Sequence, residues 1–376
     1  MNPTFAAVLV QVLGPDFAWK IANGLRPQER LLFARLLPEM PKNSFHVQDG
    51  TMTIRATMAG LAAMDSPYPP GGLIESSTFL SETGKIANEV TLTEKARKEL
   101  HAILANIQLA SGDTTQALVD EVLNFTEKVV VQPHIDTMEY LRGRALGYGE
   151  IDWTYNNVEL KVDYGFSAGH LFDTRTGNDG YGGSASTFWA DDRAAQKLLR
   201  YRSGLQRIMH SDTWDVVINN PVNMIEVTAS AGNSRTIRRL VTRGGNTQFS
   251  SDARDQMQVT LYDEEGELLN PADTTKTVRV PFLDPGRIIY ATPTADDGYR
   301  VGQGATDDAE DMRTLGYTHI APTVEGMNQG LRGGGRWSQV FTPERMPMQL
   351  TGQGVTNGLP VIENPDRVVV TSTVMP

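Results

Sequence analysis

The spacing of apolar side chains changes several times along the chain, and each change marks a different kind of segment. Through residues 1–43 the apolar positions come in short runs cut by Pro15, Gly24, Pro27, Pro38 and Pro41. The strongest run, with Leu31, Leu32, Phe33, Leu36 and Leu37, predicts a short helix. The stretch reads as an arm, not as a compact unit. From Phe45 the period becomes two: Phe45, Val47, Met52 and Ile54 alternate around Asp49-Gly50, a strand-and-turn pattern. Gly60, Pro67, Pro69, Pro70, Gly71 and Gly72 then form a breaker-rich tip, and the chain returns through residues 78–90. Such an extended ribbon lacks the apolar periodicity for a core of its own. A lone pair of strands is marginal in water, so the ribbon is expected to lie on another surface.

At Thr91 the period lengthens to that of a helix. Thr91 and Glu94 have capping-box spacing, and Ala96, Leu100, Ile103, Leu104 and Ile107 follow on one face. Ser111-Gly112-Asp113 breaks the run, and Asp113 or Thr114 caps a second helix. Its stripe is Leu118, Val122, Phe125 and Val129, then Ile135, Met138, Leu141 and Ala145. The stripe changes phase near Pro133, which predicts a kink, and Gly147 and Gly149 predict its end. A helix over residues 114–146 would be roughly 50 Å long. Beyond it the pattern predicts a strand over 153–164, a loop over 169–186 and a helix over 190–209 carrying Ala194, Ala195, Leu198, Leu199, Leu205 and Ile208. Short apolar runs at 216–218 and 224–227 flank Asn219-Asn220-Pro221. Strands are predicted over 257–262, 277–282 and 287–291, the first closed by the turn Asp263-Glu264-Glu265-Gly266. A glycine-rich loop at 330–336 and a last strand within 358–374 complete an α+β chain.

Composition narrows the chemistry. The 376 residues include 35 glycines and 20 prolines, which argues against an all-helical bundle. There is no cysteine, which excludes disulfides, thiolate metal sites, iron–sulfur clusters and a cysteine nucleophile. A net charge of −11 gives a surface that repels a free polyanion. That suits solubility, and it also suits a wall that holds DNA without gripping it. Residues 5–13 are apolar, but the first cationic side chain is Lys20 and Gln11 interrupts the run. The segment lacks the basic start of a signal peptide and is too short to span a bilayer, so it reads as an amphipathic arm with no membrane role.

A search for catalytic constellations returns little. His46, His101, His134, His170, His210 and His319 are scattered, none paired at metal-ligand spacing. Neither a nucleophile elbow nor a phosphate-binding G-x-x-x-x-G-K-[ST] loop occurs. Gly180-Tyr181-Gly182-Gly183-Ser184-Ala185 fits a loose dinucleotide fingerprint, but no strand is predicted before it. The adjacent carboxylates Asp191-Asp192 and Asp296-Asp297 suit a helix start and a turn. Arg235, Arg238, Arg239 and Arg243 make one basic cluster, read as a solvated helix face, an ion-pairing surface for a neighbouring subunit or a polyanion contact. Gly333-Gly334-Gly335 between Arg332 and Arg336 reads as a mobile connection before an anion cradle. No catalytic, cofactor or metal site is expected.

The order of parts says more than any motif: an arm, an unsupported ribbon, a long kinked helix, a mixed region and a returning last strand. This order resembles the tailed-bacteriophage capsid fold first described for phage Hong Kong ninety-seven, and within it the lambda-type capsid protein E family. Leu141-Arg142-Gly143-Arg144-Ala145-Leu146-Gly147 is similar to the family's helix end. Val162-Asp163-Tyr164-Gly165, Pro285-Gly286-Arg287-Ile288-Ile289-Tyr290, the stretch from Gly316-Tyr317 to Pro322 and Gly358-Leu359-Pro360-Val361-Ile362 resemble its strands. The likeness covers residues 40–376.

The resemblance implies an N-terminal arm at 1–45, an E-loop at 46–91, a peripheral domain of 92–190 and 326–376 around the spine helix, and an axial domain at 191–325. It implies a major capsid protein that assembles with itself into hexamers and pentamers, forming an icosahedral head around packaged double-stranded DNA. Portal, separate scaffolding and decoration proteins would be its partners, the host cytoplasm its place of assembly and the virion its destination. A separate scaffold is the expectation for a sequence that starts at Met1. Some shells of this fold are welded by Lys–Asn bonds. Lys85 lies late in the ribbon, but welding is not a lambda-type habit. Three alternatives remain: an encapsulin-like compartment, a tail or adhesin component, and an enzyme whose pocket joins Asp163, Asp191 and Glu325.

Overall fold

The computed structural model describes residues 31–55, 73–92, 126–155, 158–167, 169–199, 205–223, 257–270, 273–295, 313–328, 333–341 and 350–375. The tip of the ribbon, the predicted helix after Glu94, the start of the long helix, His101, Asp296-Asp297, Arg332 and the arginine cluster at 235–243 lie outside them.

Helix α1 (Leu32–Leu36) and strand β1 (Glu39–Pro41) open the described chain. Leu31, Phe33, Leu36 and Leu37 are buried, so the end of the stretch read as an arm is part of the core. Strands β2 (His46–Arg55) and β3 (Leu73–Glu82) pair antiparallel over ten residues each. Asp49 and Gly50 sit inside β2 opposite Phe79 and Thr78, so the turn expected there is absent. A single Asp-Gly carries turn chemistry only where the flanking strands have no longer pairing available. Strand β4 (Gly84–Leu92) leaves the ribbon. Thr91 belongs to this strand, opposite Thr351, so it does not cap a helix.

A π-helical turn (Thr126–Val131) leads into helix α2 (Gln132–Tyr148). Pro133 lies in the first α-helical turn, where its missing N–H leaves no bond unmade. What the structure shows near Pro133 is a change from π- to α-helix between Val131 and Gln132. Gly147 is buried inside α2, and Gly149, at φ 68°, ends it, its N–H donating to the Ala145 carbonyl. Ten of the 17 residues of α2 are buried, including Glu139 and Arg142, so the helix is enclosed on most of its circumference.

The strand predicted over 153–164 is two strands, β5 (Glu150–Tyr155) and β6 (Val158–Asp163), paired as a hairpin. Helix α3 (Phe188–Leu198) ends earlier than expected, and Ile208 lies in strand β7 (Gln206–Met209). Residues 216–218 belong to helix α4 (Ser211–Asn219), capped by the His210 ring accepting from the Asp212 N–H. Strands β8 (Val259–Leu261), β9 (Glu265–Asn270), β10 (Asp273–Pro281), β11 (Arg287–Ala291), β12 (Thr294–Ala295), β13 (Arg313–Thr314) and β14 (Gly316–Ala321) follow. Helix α5 (Val324–Asn328) and strands β15 (Trp337–Phe341), β16 (Leu350–Ile362) and β17 (Val368–Ser372) close the chain. The single last strand expected is therefore two.

Two sheets organise the core. In the first, β4 pairs one edge of β16, while β14 and β15 share its other edge end to end, and β1 adds parallel to β14. The second runs β17-β11-β7-β8. Ile289, Ile208, Val368 and Val370 face the cluster containing α2, whereas Ile288, Tyr290, Met209 and Val369 face Phe188 and Trp214. Both faces are covered, which explains the uninterrupted apolar runs at Ile288-Ile289-Tyr290 and Val368-Val369-Val370. Each such side chain contributes roughly 1.5–3 kcal/mol of burial.

Candidate functional site

The base of the ribbon is a densely hydrogen-bonded region. Its two ends are rooted in one sheet: β1 on β14, and β4 on β16. At the neck the Phe45 carbonyl accepts from both the Thr83 N–H (3.2 Å) and the Thr83 hydroxyl (3.1 Å). The His319 ring lies 2.8 Å from the Ser44 carbonyl, and the Lys42 N–H donates to the Ile320 carbonyl at 2.9 Å. Lys85 Nζ pairs with Glu325 Oε1 at 2.6 Å, and holds that carboxyl below its ordinary range.

Beneath the neck, β4 is fastened to α2 through Asn88. Its amide Nδ2 donates to the Val129 and Val130 carbonyls, and its Oδ1 lies 2.7 Å from His134 Nε2. That arrangement makes Nε2 the protonated nitrogen of a neutral imidazole. Burial, helped by the charge of Arg336, pushes the His134 pKa down to about 4. A Cβ on Gly354 would meet His134 Nε2 at 2.5 Å and Asn88 Oδ1 at 2.8 Å, so only glycine fits where β16 crosses the pair.

Deeper still, Arg142 joins three elements. Its Nη1 donates to Glu139 Oε2 (3.1 Å), its Nη2 to Glu39 Oε1 (3.1 Å) and its Nε to the Thr318 hydroxyl (2.8 Å). Arg336, after the glycine loop, also bonds Glu39. Burial raises the Glu39 pKa, but Arg336 and Arg142 outweigh it and the carboxyl is held below its ordinary value. Glu139 goes the other way: burial pushes it up, and Arg142, the Tyr262 hydroxyl and the Phe33 N–H only partly offset that. Arg336 is thus occupied, and a Cβ on Gly334 would run into the Ile320 carbonyl. Gly334 and Arg336 are held in place, which argues against an anion cradle at Arg336, while Gly333 is exposed with open space around it.

The other candidates from sequence are accounted for locally. Asp191 accepts from Arg175 Nε (2.9 Å) and Nη2 (2.7 Å) and from the Thr187 hydroxyl (2.9 Å). Asp192 accepts from Arg207 Nε at 2.7 Å. Asp191 lies in the first turn of α3, as expected of a helix start, and both carboxylates are buried and act as internal clamps. Asp163 accepts from the Gly165 N–H, and Glu325 is paired with Lys85. Asp163, Asp191 and Glu325 therefore serve three separate partners. The loop at Gly180–Ala185 is filled by its own fold: Asn220 Nδ2 donates to the Tyr181 and Gly183 carbonyls. Among the described residues no group of three or more His, Asp and Glu side chains is placed to hold a metal ion. The arginine partners of these acids were missed in the sequence. Arg175 and Arg207 lie 16 and 15 positions away, with no periodic signal linking them.

No protein-family model matches the chain, and no curated protein matches it. Solved structures do. A chain assigned as the capsid protein of a prophage (E. coli CFT073) matches at TM-score 0.51 and 8% identity, over 100% of this chain and 99% of that one. The procapsid of satellite phage P4, which includes a size-determination protein, gives TM-score 0.48 and 9% identity over 100% and 92%. The SrpI encapsulin complex from Synechococcus elongatus PCC 7942 gives 0.40 and 10% over 92% and 90%. At these identities the likeness speaks to fold, and the prophage match, spanning both chains, carries it: the chain has the α+β fold of phage capsid proteins.

Proposed function

We propose that the chain is a shell subunit, the major capsid protein of a tailed phage. It would assemble into hexamers and pentamers and close an icosahedral head around double-stranded DNA. The observation that carries this reading is the ribbon β2–β3. Among the described residues it pairs with no other strand, while both its ends are fixed in one sheet of a capsid fold. A rigid root with an unsupported ribbon is what a subunit needs to reach across a neighbour. In this reading residues 1–45 form the arm and 46–91 the E-loop. Residues 92–190 with 326–376 form the peripheral domain, and 191–325 the axial domain. Portal, scaffolding and decoration proteins are its partners, and the mature protein resides in the virion. The reading assigns no catalytic, cofactor or metal site. Among the buried side chains, His134, Asp191 and Asp192 are each tied to an internal partner.

Electron microscopy of the purified protein tests the proposal. Closed shells or ring-shaped capsomers are expected. Small discrete oligomers with a turnover abolished by changing Asp163, Asp191 or Glu325 would overturn it in favour of an enzyme. Particles filled with protein cargo and not DNA would transfer it to an encapsulin-like compartment.

A further inference from the structure

At the C-terminal end of α2, two arginines sandwich one tyrosine. The Arg144 guanidinium lies 3.6 Å from the Tyr148 ring centroid and that of Arg287 lies 3.3 Å from it. Two groups that close to one centroid must occupy opposite faces of the ring. The Tyr148 hydroxyl donates to Asp284, and Arg144 Nη1 reaches Asp284 Oδ2 at a long 3.4 Å. Arg287 Nη1 donates to the Gly147 carbonyl at 2.8 Å, one of the helix-end acceptors. The charges acting on Tyr148 are those of Asp284, Arg287 and Arg144, and those acting on Tyr140 are Arg144 and Asp284. Two cations thus flank one ring in a half-buried setting, and only Arg144 is paired with the Asp284 carboxylate. The side chains of Arg144 and Asp284 are 24% and 36% exposed, so the cluster is open to a partner. A guanidinium offers five donors in a planar fork; among the described residues one nitrogen of each, Arg144 Nη1 and Arg287 Nη1, has an acceptor, and Arg144 Nε is buried.

We infer that the Arg144–Tyr148–Arg287 stack is a receptor for an Asp or Glu carboxylate of a second copy of this chain. The inference rests on the shell reading above, which supplies the second copy. The chemistry of the fork matches a carboxylate in shape and charge. Each copy has carboxylates to spare, with 45 acidic against 34 basic side chains. DNA phosphate is the weaker fit, because affinity for a polyanion grows with the number of phosphates neutralised. One two-arginine site in a chain of net charge −11 neutralises few.

The test compares assembly of the native protein, the double variant R144Q/R287Q and the charge-keeping control R144K/R287K. Circular dichroism and thermal melting establish that each subunit folds, and sedimentation measures the yield of particles across a salt series. The glutamine variant is expected to give roughly tenfold fewer particles, with the salt dependence flattened, and the lysine variant, which keeps the charge but loses the planar fork, to fall between it and the native protein. Native yield and native salt dependence from the glutamine variant overturn the inference. So do intact glutamine shells that fail only to retain DNA, which would assign the site to phosphate. If the glutamine variant does not fold, the density of native particles decides. A neighbour's Asp or Glu within about 4 Å of either guanidinium supports the site, and solvent alone there overturns it. Absence of particles from the native protein would instead bring down the shell reading itself.

Discussion

Arg142 donates to Glu39 at 3.1 Å across 103 positions of sequence, from the middle of α2 to the strand that precedes the ribbon. The arginine is fully buried, and so is Glu139, its second carboxylate partner. Removing one member of a buried ionic group leaves the others uncompensated in a poorly polarisable interior, which typically costs about 3–5 kcal/mol. Arg142→Met should therefore lower the unfolding free energy of the subunit by about that amount, read from a urea melt. A loss below about 1 kcal/mol would show that the group contributes no more than a surface pair.

His134 predicts a dependence on acid. In the folded chain its pKa is depressed from 6.5 to about 4. The unfolded chain therefore takes up a proton first, and stability falls as pH drops from 6.5 towards 4, by roughly 3 kcal/mol in all. Protonation would put a donor on Nδ1, a buried atom with no acceptor beside it among the described residues. Glu39, with a lowered pKa, contributes stability above 4.5 that is lost on further acidification. Glu139, with a raised pKa, acts in the opposite sense, its contribution being lost as pH rises. The difference between native protein and His134→Gln isolates the histidine. The variant's melting temperature should lose the slope between pH 6.5 and 4, and an unchanged slope would remove His134 as its source.

The sequence announced elements where a local signal agreed with the tertiary setting. Residues 287–291 read as a strand and are one, because alternate side chains of that strand are buried on both of its faces. Gly149 ends α2 as expected, since the left-handed cap is a property of the glycine itself. Local signals failed where a distant strand competed for the backbone. Thr91 carries a capping-box pattern, yet nine residues from Gly84 to Leu92 find partners on β16 more than 250 positions later in the chain. Ile208 continues a helical stripe, but Ile289 and the rest of β11 claim it as a sheet neighbour. The polar cluster was invisible for the same reason. Nothing in the spacing of Glu39, Arg142, Thr318 and Arg336 links them before the chain has folded.

Gly143 shows how packing reverses a propensity. Alanine favours an exposed helix interior over glycine by about 1 kcal/mol. A Cβ at Gly143, however, would collide with the Phe282 carbonyl and lie 3.1 Å from the Phe33 ring. Overpacking of this kind costs about 1–3 kcal/mol and shifts backbone. Gly143→Ala should lower the melting temperature, and a rise would mean that α2 and the residue-282 turn separate easily.

The ribbon gives the last prediction. Strands β2 and β3 match residue for residue from His46–Glu82 to Arg55–Leu73, but among the described residues no third strand joins them. Ordering a residue costs about 1–2 kcal/mol of backbone entropy. A hydrogen bond returns about 1 kcal/mol net, and in an antiparallel pair there is only one bond for each two facing residues. The hairpin alone therefore runs at a deficit, whereas β4 is held along its whole length by β16. In the isolated subunit, amides of 46–55 and 73–82 should exchange orders of magnitude faster than those of 84–92. In assembled particles, where a neighbour covers the ribbon, the difference should largely close. Replacing residues 56–72 by a short glycine–serine turn should leave β1, β4 and α2 in place, giving a folded subunit that builds no stable shell. Strong protection of the ribbon in the monomer would mean that the hairpin supports itself. Normal particles from the shortened chain would mean that its reach is not what holds the shell.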